Sequence, residues 1–206
     1  MMRFRPAIVV LAAGPGRRFG GPLHKLQQPF GGGTVLGSTV RHAIETQLPL
    51  VVVTIAALAP ELARQVAARD IVVLDADTAA MGLGHSLSVG VAERSGAPGW
   101  LVLPGDMPLV RPASILAVAT ALEQHAVAFA QHRGRGGFPV GFAAELYSEL
   151  IVLRGDDGVR RVMARYPAQG IELDDPGVRV DVDTESDLQA LRSLAAAADT
   201  PTQRGS

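Results

Sequence analysis

The chain has 206 residues, of which 48% are hydrophobic, and its formal net charge at pH 7 is −1. This length and composition are typical of one globular domain with a sizeable core. The near-neutral charge gives no general electrostatic reason to bind nucleic acid or an anionic membrane, so we expect neither as a partner. Cysteine is absent, which excludes disulfides, thiolate zinc sites and cysteine nucleophiles. No apolar stretch approaches the roughly 20 residues that span a bilayer, and we expect a cytoplasmic protein.

Strand-length apolar runs alternate with helix-length segments as far as residue 125. The predicted strands are Ala7–Leu11, Leu50–Ile55, Ile71–Leu74 and Trp100–Leu103. The predicted helices are Val35–Thr46, Pro60–Ala68, Ser86–Arg94 and Pro112–His125. This alternation predicts an α/β protein in which a mostly parallel, Rossmann-like sheet lies between two layers of helices.

The regular alternation of predicted strands and helices ends after residue 125. The predicted strands there are Ala126–Gln131, Pro139–Phe142, Ile171–Leu173 and Val178–Val182, with helices near Ala143–Leu150, Val159–Tyr166 and Glu185–Leu194. Thr184 is expected to cap the last helix, with Asp187 as its capping-box partner. We predict a single domain over residues 1–194 and a flexible tail over residues 195–206.

A glycine-rich loop follows the first predicted strand and leads to Lys25, the only lysine in the chain. Backbone N–H groups of such a loop can surround phosphates, and an ammonium is a compact charge that suits a phosphate oxygen. The dinucleotide pattern G-x-G-x-x-G fails because Phe19 stands where the third glycine is required. The P-loop pattern fails because Pro22 stands at the lysine position. We interpret the segment as a wide polyphosphate loop, with charge from Arg17 or Arg18 and from Lys25; the alternative is an ordinary glycine turn.

Acidic residues stand at the carboxyl ends of two predicted strands. Asp106 comes after Trp100–Leu103, at the end of a parallel strand where α/β sheets bind ligands. Asp181 and Asp183 alternate and would share one face of a strand end. Because Mg²⁺ is typically held by one or two carboxylates and substrate phosphates, we predict a site that uses Asp106 and either Asp181 or Asp183. The alternatives are helix capping and the usual enrichment of acidic residues before a helix.

Three further glycine-rich segments carry weaker signals. Gly82–Leu87 has small residues that let a flat ring approach the backbone, although a glycine turn opening a helix has the same pattern. Residues 133–139 and 154–161 are cationic as well as glycine-rich, and either could bind a second, anionic substrate or be a solvated loop. One short arginine-glycine run in a chain of this charge does not indicate RNA binding.

In their order along the chain, these segments resemble the molybdenum cofactor nucleotidyltransferases of the NTP-transferase superfamily, and especially the cytidylyl-transferring branch. Leu11-Ala12-Ala13-Gly14 with Arg18, Gly20 and Lys25 resembles L-A-A-G-x-S-x-R-x-G-x-x-K, and Gly82–Leu87 resembles G-M-G-x-S-L. Asp106-Met107-Pro108 resembles D-x-P, residues 155–160 resemble G-D-x-G-x-R, and residues 183–187 resemble D-T-P-E-D. Phe138 stands before Pro139 where many members have histidine, which leaves the acceptor open.

The resemblance implies a fold of the nucleotide-diphospho-sugar transferase type and a Mg²⁺-dependent reaction. CMP from CTP would pass to a phosphorylated acceptor, molybdopterin, and pyrophosphate would be released. The implied catalytic residues are Arg18, Lys25 and Asp106, and the implied metal ligands are Asp106 and Asp183. Nucleotide binding is assigned to Leu11, Ala12, Ala13, Gly14, Gly16, Arg18, Gly20, Lys25, Gly82, Gly84 and Ser86, and acceptor binding to Arg135, Gly137, Asp156 and Arg160.

A molybdoenzyme or its insertion chaperone is the expected protein partner, and the base remains open between CTP and GTP. Two other functions are compatible with the same residues. One is a nucleotidyltransferase of this fold that uses another acceptor, such as a sugar phosphate or phospholactate. The other is a non-catalytic protein that binds and delivers the finished cofactor.

Overall fold

A computed structural model describes residues 4–16, 19–20 and 23–198. The strands are β1 (Ala7–Ala12), β2 (Pro29–Phe30), β3 (Gly33–Thr34), β4 (Leu50–Ile55), β5 (Ile71–Leu74), β6 (Gly99–Pro104), β7 (Val127–His132), β8 (Arg135–Ala143) and β9 (Ala168–Glu172). The helices are α1 (Val35–Glu45), α2 (Ala59–Leu62), α3 (Ala76–Ala79), α4 (Leu83–Glu93), α5 (Pro112–Ala121), α6 (Tyr147–Leu150), α7 (Gly158–Arg165) and α8 (Glu185–Ala198). None of these helices is both long enough and apolar enough to cross a membrane.

The central sheet has the strand order β5-β4-β1-β6-β8-β7-β9. β1 lies between β4 and β6 and is parallel to both, and β5 is parallel to β4. β8 runs antiparallel to β6 and β7, and β9 is parallel to β7. The carboxyl ends of β1, β4, β5 and β6 therefore lie at the same edge of the sheet. The predicted mostly parallel, three-layer fold is confirmed.

The two faces of β1 belong to different halves of the core. Ile8 and Val10 pack with residues of α1 and α5, whereas Val9 and Leu11 pack with residues of α4 and α6. Burial on both faces explains why β1 is a continuous apolar run and does not alternate. α4 lies especially close to the sheet at Gly90, where an added Cβ would be 2.4 Å from Cγ1 of Val9. This close packing fixes the amino end of α4 beside the carboxyl end of β1.

Three sequence predictions are wrong in detail. Val178–Val182 is not a strand, because Pro176–Arg179 forms a 3₁₀ turn in which the Asp175 side chain accepts a hydrogen bond from the Gly177 amide. The helix predicted over Pro60–Ala68 ends at Leu62. The chain then continues in turns closed by backbone hydrogen bonds between residues three or four positions apart. The last helix extends to Ala198, so the predicted tail boundary after residue 194 falls within it. Residues 199–206 lie outside the described part of the chain.

Candidate active site

A cavity of about 470 Å³ opens at the carboxyl ends of β1 and β6. This is the edge at which open α/β sheets bind ligands, and the volume is that of a small-molecule site. The predicted site residues that line it are Leu11, Ala12, Ala13, Gly14, Gly16, Lys25, Gly82, Ser86, Asp106, Asp156 and Asp183. Gly20, Gly84, Arg135, Gly137 and Arg160 do not line it, and Arg18 lies outside the described residues.

Hydrogen bonds from three directions hold the backbone around Asp106. The Gly105 amide donates to the Leu11 carbonyl at 2.9 Å, which ties the turn after β6 to the end of β1. The Thr39 hydroxyl of α1 donates to the Gly105 carbonyl at 3.0 Å. The Val182 amide donates to the Asp106 carbonyl at 3.0 Å. The last bond brings Asp181 and Asp183, one on each side of Val182, next to Asp106.

The start of α8 holds the backbone of Asp183. One Asp187 carboxylate oxygen accepts from the amides of Thr184, at 2.7 Å, and Asp183, at 3.2 Å. The Thr184 hydroxyl oxygen accepts in return from the Asp187 amide at 3.2 Å. The predicted capping box is thus confirmed, and it also restrains a residue of the predicted metal site.

Lys25 forms ion pairs with two of the acidic residues. Its Nζ lies 2.6 Å from Oδ2 of Asp106 and 3.0 Å from Oδ1 of Asp183. The exposed fractions of the three side chains are 13%, 16% and 34% respectively. Burial by itself would lower the pKa of Lys25, but the charges and hydrogen bonds of Asp106 and Asp183 outweigh burial and leave the pKa raised. The lysine is therefore a charged ammonium between two carboxylates.

The three acidic side chains form a cluster that fits a divalent cation. One carboxylate oxygen from each of Asp106, Asp181 and Asp183 lies within 4.8 Å of the others. Oδ1 of Asp106 is buried and has no hydrogen-bond partner among the described residues. Asp181 is the most exposed of the three residues, but partial desolvation of its carboxyl group still raises its pKa. The negative charges of Asp106 and Asp183 raise this pKa further. Convergent carboxylates with an unsatisfied buried oxygen are a suitable donor set for a hard cation such as Mg²⁺.

His24 supports the glycine loop from within. Its Nδ1 accepts from the Leu26 amide at 3.2 Å, and its Nε2 lies 2.9 Å from the Gly14 carbonyl. This pattern assigns the proton to Nε2, which donates to Gly14. Gly16 has φ +61°, and a Cβ there would lie 3.1 Å from His24 Nε2, whereas a Cβ on Gly14 would meet no atom of the described residues within 4 Å. His24 was not among the predicted site residues, and its position next to Lys25 was the available signal in the sequence.

Two distant glycine segments form a single unit at the other end of the cavity. The Gly84 amide donates to the Gly155 carbonyl at 2.7 Å, and the Gly155 amide donates to the Met81 carbonyl at 3.0 Å. Oδ1 of Asp156 accepts from the Leu83 amide at 3.1 Å, at the start of α4. We call these three bonds the clasp. The motifs predicted nucleotide binding for one segment and acceptor binding for the other, and nothing in the sequence revealed their contact.

The remaining predicted acceptor residues lie away from the cavity lining. Arg135 begins β8, and Gly137 packs so tightly that an added Cβ would be 2.0 Å from the Val178 carbonyl oxygen. Since β8 is antiparallel to β6, this end of β8 is at the same edge of the sheet as Asp106. Arg160 is exposed on α7. Their role in acceptor binding stays a prediction.

Comparisons with known proteins agree with this geometry. The sequence model of the MobA-like NTP transferase domain matches residues 8–170. The chain is 35% identical over 125 residues to the bifunctional protein GlmU of Gloeobacter violaceus, and this match covers 60% of the chain but only 26% of that protein.

Solved structures with similar sequences have the same fold. The structure of Rv0371c from Mycobacterium tuberculosis is 28% identical, with a TM-score of 0.77 over 92% of this chain and 98% of that one. A second structure, of Rv0371c in complex with manganese, is 26% identical, with a TM-score of 0.76 and the same coverage. A nucleotidyl transferase from Methanothermobacter is 25% identical, with a TM-score of 0.77 over 95% and 99% of the two chains. Because the domain match spans most of this sequence, including Lys25, Asp106 and Asp156, the chain belongs to the MobA-like NTP transferase family, as its motifs predicted.

Proposed function

We propose that this protein is a nucleotidyltransferase that moves CMP from CTP to the phosphate of molybdopterin and releases pyrophosphate. The observation that carries the proposal is the meeting of Lys25, Asp106 and Asp183 beside the glycine loop in one cavity. The charged groups suit a polyphosphate, and the motif resemblance supports cytosine and molybdopterin. The manganese complex of Rv0371c supports a divalent cation at the acidic cluster.

In the proposed reaction, an oxygen of the acceptor phosphate attacks the α-phosphorus of CTP. The new P–O bond forms as the bond from the α-phosphorus to the bridging oxygen breaks, and pyrophosphate leaves with that electron pair. No covalent enzyme intermediate is needed, so the chain acts mainly by positioning and by charge. The glycine loop, supported by His24, presents backbone to the phosphates, and the ammonium of Lys25 neutralises charge on them.

Asp106, Asp181 and Asp183 would hold Mg²⁺, which when bound supplies further neutralisation of phosphate charge. Lys25 pairs with two of these carboxylates. The ammonium has three N–H donors and uses two of them on these carboxylates, so the third would be available to a phosphate oxygen. Any shift of the ammonium toward the phosphates would in turn make its carboxylates available to a cation.

The test is Asp106→Asn, measured by Mg²⁺-dependent pyrophosphate release with CTP and molybdopterin. The amide keeps the size of the side chain but loses its charge, and we expect turnover to fall by about 100-fold or more, the usual effect of losing one charge-stabilising group. Asp174→Asn is a matched control, because Asp174 is exposed and outside the cavity lining. Unchanged turnover in Asp106→Asn would remove this carboxylate from the mechanism.

The acceptor is tested separately by combining CTP, GTP, UTP and ATP with molybdopterin, sugar phosphates and phospholactate. We expect pyrophosphate release to be fastest with CTP and molybdopterin. Faster release with another acceptor would keep the reaction class and change the substrate. Tight binding of molybdopterin cytosine dinucleotide without any triphosphate turnover would identify a delivery protein.

A further inference from the structure

The cavity has two chemically different ends, on opposite faces of the sheet. The charged end is formed by Lys25, Asp106 and Asp183, and the neighbouring side chains of Leu26 and Val182 pack with the core layer of α1 and α5. The α4 end is formed by Ala79, Gly82, Leu83, Ser86 and Asp156. The core residues next to it, such as Leu87 and Val159, belong to the layer on the opposite face.

A nucleotide whose phosphates lie at the charged end extends its base toward the α4 end. Three of the five residues there, Ala79, Gly82 and Leu83, have no polar side-chain group, which suits the face of a planar ring. Among the described residues that line the α4 end, Asp156 is the only ionisable one. It is therefore the group whose charge can discriminate between bases.

The clasp fixes the position of Asp156. An added Cβ on Gly82, which has φ +93°, would lie 2.7 Å from the carbonyl carbon of Gly155, and one on Gly84 would lie 2.8 Å from the Gly155 carbonyl oxygen. Only glycine allows the two segments to approach this closely. Arg161 extends the anchoring, because its guanidinium donates to the Arg154 carbonyl at 2.8 Å.

One oxygen of Asp156 remains available to a ligand. Oδ1 accepts from the Leu83 amide, and within the described part of the chain this is the one hydrogen bond that the carboxylate makes. Oδ2 retains its acceptor capacity, and Asp156 is one of the residues that line the cavity. An ionised carboxylate can only accept hydrogen bonds, so it favours a donor and disfavours a carbonyl oxygen opposite it.

We infer that Asp156 is a specificity-determining residue whose free carboxylate oxygen accepts a hydrogen bond from the exocyclic amine of the base. This inference rests on the proposed function, because it takes the phosphates to lie at the charged end. It assigns Asp156 to the nucleotide and replaces the acceptor-binding role that the motif suggested. Cytosine carries an amine at position 4 where uracil carries a carbonyl oxygen, so Asp156 favours CTP over UTP.

The variant Asp156→Asn provides a directional test. Its side-chain oxygen can still accept from the Leu83 amide, which preserves the clasp. Its NH₂ group then replaces Oδ2 and presents a donor to the base. A donor suits the O4 atom of uracil and opposes the amine of cytosine, so the preference should reverse.

The measurement is equilibrium binding of CTP, UTP and dCTP, together with kcat/KM for pyrophosphate release from CTP and UTP. We expect the wild-type protein to prefer CTP, and the CTP-to-UTP affinity ratio to fall by about 10- to 100-fold in Asp156→Asn, as for one reversed base-edge contact. Asp156→Ala should weaken both nucleotides without favouring UTP. Asp157→Asn is the matched control, because Asp157 is exposed, adjacent and outside the lining of this cavity.

Two results would overturn the inference. An unchanged CTP-to-UTP ratio in a folded Asp156→Asn protein would show that the carboxylate does not read the base. A change confined to the CTP-to-dCTP ratio would place it at the ribose. Normal CTP binding without any turnover contradicts only the proposed function, whereas failure of the wild-type protein to bind any nucleotide contradicts both proposals.

Discussion

Replacing Lys25 by methionine tests whether its ammonium holds the acidic cluster together before a cation binds. Methionine keeps the approximate length of the side chain and removes its charge. The Nζ atom of Lys25 lies 2.6 Å from a carboxylate oxygen of Asp106 and 3.0 Å from one of Asp183, and it neutralises both groups. The carboxylate of Asp181 lies close to these two. Without the ammonium, three carboxylates face one another, and the half-buried Asp106 loses its cationic partner.

The expected loss of stability follows from burial. Removing one partner of a buried ion pair costs about 3–5 kcal/mol, because the other charge is left unpaired. The Asp183 side chain is 34% exposed, so solvent screens its interaction with Lys25. We therefore expect the free energy of unfolding to fall by about 2–3 kcal/mol. For a domain of this size 1 kcal/mol shifts Tm by about 2–4 °C, which corresponds to a fall of about 5–10 °C.

The same substitution is expected to increase the affinity of the acidic cluster for a divalent metal ion, although it lowers the stability of the fold. In the wild-type protein a cation must compete with the ammonium for Asp106 and Asp183, whereas in Lys25→Met it does not. We expect Mn²⁺ alone to bind the variant at least about tenfold more tightly, which corresponds to about 1.4 kcal/mol. Mn²⁺ should also restore most of the lost Tm, since ligand binding stabilises the folded state.

The assay combines thermal unfolding, with and without MnCl₂, and electron paramagnetic resonance of free Mn²⁺ without nucleotide. Arg165→Met is a suitable control, because Arg165 pairs with Glu149 on the surface at 3.0 Å with its side chain 69% exposed. That variant should change neither Tm nor Mn²⁺ binding appreciably. Weaker Mn²⁺ binding by Lys25→Met, or an unaltered Tm, would refute the competition between ammonium and cation.

Two other substitutions have clear expected outcomes. Asp181→Asn should stabilise the metal-free protein at pH 7 by less than about 1 kcal/mol, because the raised pKa of Asp181 means that its ionised form opposes folding. The same variant should bind Mn²⁺ more weakly, because the cluster loses one carboxylate. In denaturant titrations this gain should shrink as the pH falls and Asp181 becomes protonated, and a gain that grows instead would contradict the assigned cause. Gly84→Ala should cost about 2–3 kcal/mol and weaken CTP binding, because its Cβ would lie 2.8 Å from the Gly155 carbonyl oxygen. Gly96→Ala, where an added Cβ meets nothing within 4 Å, is the control; equal stability of the two alanine variants would rule out a tight clasp.

Local patterns were sufficient to predict most of the sheet. The bounds of β4 and β5 match the predicted strands Leu50–Ile55 and Ile71–Leu74. Both strands are short apolar runs, which are recognisable without tertiary information. β4 is apolar because it is buried within the parallel sheet, whereas β5 is the edge strand and is only partly buried. The segment at 178–182 was mispredicted because apolar and charged residues alternate there as in a strand, while the turn at Pro176 and Gly177 has the stronger effect on the backbone.

The sequence by itself also determined that Lys25 follows a glycine loop and that Asp106 follows a buried strand. Parallel strands bring their carboxyl ends to one edge, so these groups could be expected in the same region. Only the tertiary structure decided that Lys25 pairs with Asp106 and Asp183, 81 and 158 positions away along the chain. It also decided that Asp156 meets Leu83, 73 positions away. The periodicity of apolar residues indicates which face of a helix or strand is buried. Contacts between loops depend instead on the strand order and on glycines that allow two backbones to touch. The spacing of residues along the chain encodes neither of these.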